Sequence, residues 1–244
     1  MLKKLIYITC WIVLLASPAL AATLRVACAA NFTSAMKELI TLFEQSHPHH
    51  VSCSFGSTGM LYGQIIKGAP YDVFFAADEK RPTLLHAEGY GATPILYAKG
   101  KVVVWSKSKK LASMPNWKEV ILCPACRKIG IATPKTAPYG LKAKEAMEQM
   151  KMYAEVQPKL AFGKSVGVSF QYAYSGAANA SFVALSQALS AKGSGGNYWD
   201  IPEAGLVHQT ACVLNRGDTA LAEEFLTWLK TPAARKIITQ YGYE

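Results

Sequence analysis

From residue 24 onward short apolar runs alternate with stretches of helical period, and that alternation limits the chain to one broad class of fold. "LRVACA" at 24–29, "VSCSF" at 51–55, "YDVFFAAD" at 71–78 and "KVVVWS" at 101–106 read as strands. Between them, "SAMKELITLFEQS" places Met36, Leu39, Ile40 and Phe43 on one helical face, and "GMLYGQIIKG" and "RPTLLHAEG" read as shorter helices. The second half continues with strands at "RKIGIAT", "PKLAF", "ASFVAL" and "HQTACVLN", and helices at "NWKEVIL", "GLKAKEAMEQM" and "VSFQYAYSG". Two terminal helices meet at Pro232, and "KGSGGN" at 192–197 reads as a surface loop. Short apolar strands separated by helices predict mainly parallel sheets covered on both faces, an α/β fold.

The first 21 residues stand apart. Lys3 and Lys4, an apolar stretch from Leu5 to Ala16, a Pro18 breaker and Ala19-Leu20-Ala21 have the order of a secretory signal peptide cut after Ala21 or Ala22. About 12 apolar residues fall short of the ~20 that a spanning helix needs. Cys10 lies inside the apolar run, behind Tyr7-Ile8-Thr9, and lacks the small residues of a lipid-attachment site. Loss of residues 1–21 lowers the formal charge from +10 to +8. The remaining lysines are scattered, and the densest run, "KSKK" at 107–110, has no interleaved aromatics, so no nucleic-acid partner is expected.

Five cysteines survive such a cleavage: Cys28, Cys53, Cys123, Cys126 and Cys212. "CPAC" at 123–126 has the form of a redox motif, but it follows a helix and precedes a strand, so no helix N-terminus stabilises a thiolate. Cys123 and Cys126 are therefore expected to form a local disulfide clip, with an exported thiol-disulfide oxidoreductase as the competing reading. "HPHH" at 47–50 could recruit a metal ion but fits a solvated loop, and no metal ligand set is expected. No catalytic motif of a hydrolase or metalloprotease is present, so the chain is expected not to be an enzyme.

Three polar strand-to-helix junctions remain: "AANFTS" at 29–34, "FGSTGM" at 55–60 and "TPKTAPYGLKAKE" at 133–145. Each alone suits ordinary helix capping. "NFT" at 31–33 and "NAS" at 179–181 also match the N-glycosylation acceptor pattern, which shows only that attachment is possible. Together, at the carboxyl ends of parallel strands, three helix N-termini can converge on one anion. Gly56 and Gly59 would let backbone approach it closely.

"AANFTSAM", "SFGSTGMLYGQIIKGAPYDVFFAAD", "IGIATPKTAPYGLKAKEAM", "SFVALSQAL", "YWDIPEA" and "ITQYGY" resemble, in order and over nearly the whole mature chain, the periplasmic molybdate-binding proteins of ABC transporters. The resemblance implies a two-lobed type II periplasmic binding protein. Lobe I would comprise 22–103 plus 208–244, and lobe II 104–207, joined by two crossing strands. It implies capture of molybdate or tungstate between the lobes as a ligand, with no cofactor, and delivery to a membrane-embedded ABC permease. It further implies a periplasmic monomer; sulfate or another tetrahedral oxyanion is the alternative ligand. Carried over by position, Asn31, Ser57, Tyr139 and the backbone amide of Val166 would hold the oxyanion. Some members supply a further tyrosine where this chain has Ala184, so that donor is missing or replaced.

Overall fold

The computed structural model describes residues 21–244, so the export segment expected over 1–21 lies, except for Ala21, outside the described residues. The strands are β1 (Thr23–Ala29), β2 (His50–Gly56), β3 (Val73–Phe75), β4 (Ile95–Ser106), β5 (Ile129–Ala132), β6 (Leu160–Gly163), β7 (Ala180–Ala184), β8 (Asn197–Asp200) and β9 (Leu206–Val213). The helices are α1 (Thr33–Ser46), α2 (Thr58–Ile66), α3 (Lys80–Ala87), α4 (Trp117–Leu122), α5 (Pro138–Gln149), α6 (Tyr153–Val156), α7 (Val166–Tyr174), α8 (Leu185–Ala188), α9 (Thr219–Trp228) and α10 (Pro232–Gln240).

The strands run in the order β2-β1-β3-β9-β4-β7-β5-β6, with β8 beside β4. The outer pairs, β1 with β2 and β3, and β5 with β6 and β7, are parallel as expected. The middle is not: β9 runs antiparallel to β3 and β4, and β4 antiparallel to β7 and β8, so the sheet is mixed. Strand β4 explains this. Its residues 95–101 pair with β9, and its residues 102–106 pair with β7 and β8. One long strand therefore leaves the first half of the molecule and enters the second, and β9 returns beside it.

Both faces of each half are covered. In the first half Val26, Cys28, Val73 and Phe75 face α1, α9 and α10, whereas Ala27 and Phe74 face α2 and α3. In the second half, Val102 and Val104 of β4 point to the side of α4 and α5, and Val103 and Trp105 to the side of α7 and α8. Burial of every residue in these stretches explains why they read as continuous apolar runs instead of alternating ones.

The segment 192–197 is largely exposed, as expected of a surface loop, and is anchored from below. Gly193 is buried, the Trp105 indole donates to its carbonyl at 2.9 Å, and a Cβ at Gly196 would fall 2.5 Å from the Trp105 ring. Small residues there let the chain pass over a large buried ring. The CPAC turn carries no disulfide in this structure. Cys28, Cys53, Cys123, Cys126 and Cys212 are all free thiols. The turn closes instead through Cys126 N–H donating to Cys123 O at 2.8 Å, with Cys126 buried in the core and Cys123 only half-buried.

Candidate functional site

Asn31, Ser57, Tyr139 and Val166, which stand far apart in sequence, all line one small cavity. Its volume of about 10 Å³ is far below the ~300–1,000 Å³ typical of pockets for organic ligands, so it has room for nothing larger than a small ion. Asn31 and Ser57 enter from the first half, Tyr139 and Val166 from the second.

Each arrives just ahead of, or in the first turn of, a helix. Asn31 lies in a 3-10 turn, Ala30–Phe32, that leads into α1. Of the neighbouring polar residues, Thr33 turns back and donates to Ala30 O at 2.8 Å. Tyr139 follows Pro138, which opens α5 without an N–H that would need a partner. Val166 opens α7, where Ser165 accepts from Val168 N–H at 3.3 Å. Helix N-termini bring partial positive charge and unsatisfied amides to the same small space.

Ser57 is the informative member. It occupies the N-cap position of α2 with extended backbone, yet its hydroxyl makes no capping bond. Among the described residues, Ser57 Oγ is one of two buried side-chain polar atoms with no hydrogen-bond partner; the other, Ser181 Oγ, lies in the core of the second half beside Gly130. A hydroxyl in a capping position that does not cap, facing a cavity, is held for something else.

Behind the cavity lies a buried network. Asn31 Nδ2 donates to Gln209 Oε1 at 2.5 Å and to the Tyr243 hydroxyl at 3.0 Å. Tyr243 OH in turn lies 2.9 Å from both Asn31 O and Ser186 Oγ, and Ser186 donates to Asn31 O at 2.7 Å. The Tyr139 hydroxyl oxygen accepts from Asn31 Nδ2 and Gln209 Nε2, each at 3.4 Å, which leaves its own proton available. Burial, reinforced by the neighbouring Tyr243, pushes the Tyr139 pKa well above the usual phenol value, so the hydroxyl stays a neutral donor.

Asn31 was expected to hold the anion; in this structure its side-chain nitrogen already donates to Gln209, to Tyr243 and, at longer range, to Tyr139. Ala184 does not line the cavity, and its N–H donates to Gln187 Oε1 at 3.0 Å. Ser186 and Tyr243 supply hydroxyls to the network behind the cavity without lining it. Sequence reasoning missed both, along with Gln209 and Tyr97, whose hydroxyl lies 3.2 Å from Gln209 Oε1. A glutamine inside the apolar strand "HQTACVLN" was the available signal for Gln209; Tyr243 lies in the matched stretch "ITQYGY" but was given no role there.

No carboxylate lines the cavity. The buried Asp72 is elsewhere, accepting from the backbone N–H groups of Arg25 and Asp218. Asp78 is paired with Arg81 outside the cavity. Neutral donors and helix N-termini with no acceptor charge can hold a fully ionised anion without burying an ion pair.

Other sequence candidates fall away from this site. His47 stacks on Phe43, and His50 lies 2.7 Å from the Glu44 carboxylate. No group of three or more His, Cys, Asp or Glu side chains among the described residues is placed to hold a metal ion. Burial raises the Cys126 thiol to about 11, the wrong direction for a reactive thiolate.

A family model described as "Bacterial extracellular solute-binding protein" matches residues 24–244. The molybdate-binding protein ModA of Rhodobacter capsulatus is 39% identical over 234 residues, covering 94% of this chain and 91% of that protein. The solved structure of the Azotobacter vinelandii periplasmic molybdate-binding protein superposes with a TM-score of 0.85 at 34% identity, covering 91% of this chain and 98% of that one. The Mycobacterium tuberculosis sulfate-binding protein SubI shares the fold alone, with a TM-score of 0.76 at 14% identity over 91% of this chain and 86% of that one.

Proposed function

This chain belongs to the bacterial extracellular solute-binding protein family, and from that premise we propose that it captures molybdate in the cavity between its two halves and delivers it to a membrane-embedded ABC permease. The observation that carries the reading is Ser57: a buried hydroxyl without a partner, facing a cavity lined by Asn31, Tyr139 and Val166 and free of carboxylates. Molybdate and tungstate are dianions at neutral pH, with acceptor oxygens only. Ser57 O–H, Tyr139 O–H and the backbone N–H groups of Asn31 and Val166 supply donors without formal charge. A carboxylate, useful for gripping a protonated phosphate, would repel these ligands.

No chemistry on the ligand is needed; the protein binds and releases. In this reading it acts as a periplasmic monomer after removal of residues 1–21, with lobe I at 22–103 and 208–244 and lobe II at 104–207. The exchange of partners along β4 between residues 101 and 102 supports a boundary near that point.

Isothermal titration of the exported protein with molybdate, tungstate, sulfate and phosphate at neutral pH tests the proposal. One-to-one binding of the first two, with sulfate and phosphate silent, is expected. Sulfate binding as tightly as molybdate would replace the ligand and keep the site, and silence from all four would end the reading.

A further inference from the structure

Two contacts join the halves of the molecule at the mouth of the cavity without lining it. Arg81, in the first turn of α3, donates from Nη2 to Lys135 O across 3.1 Å, from the first half to the second. Asp78 holds the same guanidinium and also accepts from Arg81 N–H at 3.0 Å, so the side chain is aimed before the halves meet. Beside it, Gly59 N–H, in the first turn of α2, donates to Thr136 O at 2.9 Å.

Gly59 sits where a side chain would be crowded. A Cβ at this position would lie 3.0 Å from Arg81 Nη2, from Thr136 Cα and from Thr136 O. Two of those atoms are backbone and cannot swing aside. Residues 133–137 form a tight turn, with Thr136 and Ala137 N–H both donating to Thr133 O, at 3.1 and 2.9 Å. This turn leads directly into α5 and Tyr139, so drawing it onto α2 also brings Tyr139 toward the Ser57 wall.

We propose that Gly59 and Arg81 form a latch at the mouth of the cleft that sets how long the bound anion stays, without touching the anion. The inference rests on the capture reading above. The halves are tied by β4 and β9, and a hinge motion about those strands parts the 133–137 turn from α2. The latch contacts then exist only in the closed form and weight the equilibrium toward it. An anion inside leaves only when the latch opens, so the effect falls on release and not on encounter.

The test is a stopped-flow chase of bound molybdate, followed by intrinsic fluorescence, for the native protein and for Gly59→Ala, Arg81→Lys and the surface control Lys80→Gln. Thermal melts of the anion-free proteins accompany it. Arg81→Lys keeps the charge and loses the fork; it should release about three- to tenfold faster with an unchanged association rate. Gly59→Ala should release about tenfold faster, although alanine is the better helix former and its anion-free melting temperature should hold or rise. A residue needed only for folding cannot move those two readings in opposite directions. Native binding with native-like release in both variants, or faster release that merely tracks lower melting temperatures, overturns the latch alone. A native protein with no molybdate signal overturns the capture reading and the latch with it.

Discussion

Asn31 Nδ2 lies 2.5 Å from Gln209 Oε1, a contact between residues 178 positions apart that ties the first strand-to-helix junction to the returning strand β9. The same nitrogen donates to Tyr243. Asn31 therefore lines the cavity with a side chain that is tied into the buried network behind it. Asn31→Ala removes these bonds and the longer one to the Tyr139 hydroxyl and strands buried partners, so the anion-free protein should lose about 1–3 kcal/mol of stability along with affinity for molybdate. Urea unfolding without ligand, set beside titration, checks this; a variant of native stability would show that the network carries no weight.

Ser57→Ala should behave in the opposite way. Its hydroxyl caps nothing and has no partner, so the anion-free protein should melt at the same temperature or higher. One oxygen of the bound anion loses its donor, and affinity should fall by about 1–3 kcal/mol, roughly 5- to 150-fold. Unchanged affinity in this variant would remove Ser57 from the site.

The contrast between Asn31 and Ser57 shows what was legible in the sequence. The four residues brought to one cavity were all readable, because each sits at a polar junction in an apolar chain or at a position matched to related chains. The roles behind them were not. Whether an asparagine amide faces a ligand or a glutamine on a strand 178 residues later depends on which strands become neighbours. The order β3-β9-β4 is set by long-range pairing that no local pattern encodes. The same pairing hid the mixed sheet, since a strand buried on both faces reads alike whether its neighbours are parallel or antiparallel. Segment 192–197 was legible as a surface loop from its glycines, but its anchor was not, since the Trp105 ring beneath it comes from 88 residues away.

Alkaline pH should expose the cost of burying the tyrosines. Burial pushes the pKa values of Tyr97, Tyr139 and Tyr243 up; nearby groups raise Tyr97 and Tyr139 further, whereas hydrogen bonds with Ser186 and Asn31 partly offset the rise at Tyr243. Folded values above the unfolded value of about 10 mean that the unfolded chain releases these protons first. Their contribution to stability is therefore complete below about pH 10 and is lost as pH climbs toward the raised folded values. Urea unfolding from pH 8 to 11 should show stability dropping above about pH 10, less steeply in Tyr139→Phe by up to about 1.4 kcal/mol per pH unit. Identical slopes would mean that Tyr139 ionises freely and is not the neutral donor assigned to it. Phenylalanine also lacks the hydroxyl, so molybdate affinity should fall in that variant at neutral pH.

The cysteines offer a direct contest between capture and redox chemistry. Burial raises Cys126 to about 11 and Cys212 to about 12, and Cys28 also lies well above the ordinary thiol value. Thiolate is the reactive form, so at neutral pH alkylation of the folded protein should be slow at all three and complete only after unfolding. Cys123, half-buried at the end of α4 and outside the cavity, should be modified faster than Cys126. Peptide mapping after timed iodoacetamide treatment gives the order. The double variant Cys123→Ser, Cys126→Ser should keep native affinity for molybdate, because neither thiol lines the cavity and the turn between them is closed by backbone. Rapid alkylation of Cys126 in the folded protein, together with loss of binding in the double variant, would instead give the CPAC turn a role that its burial argues against.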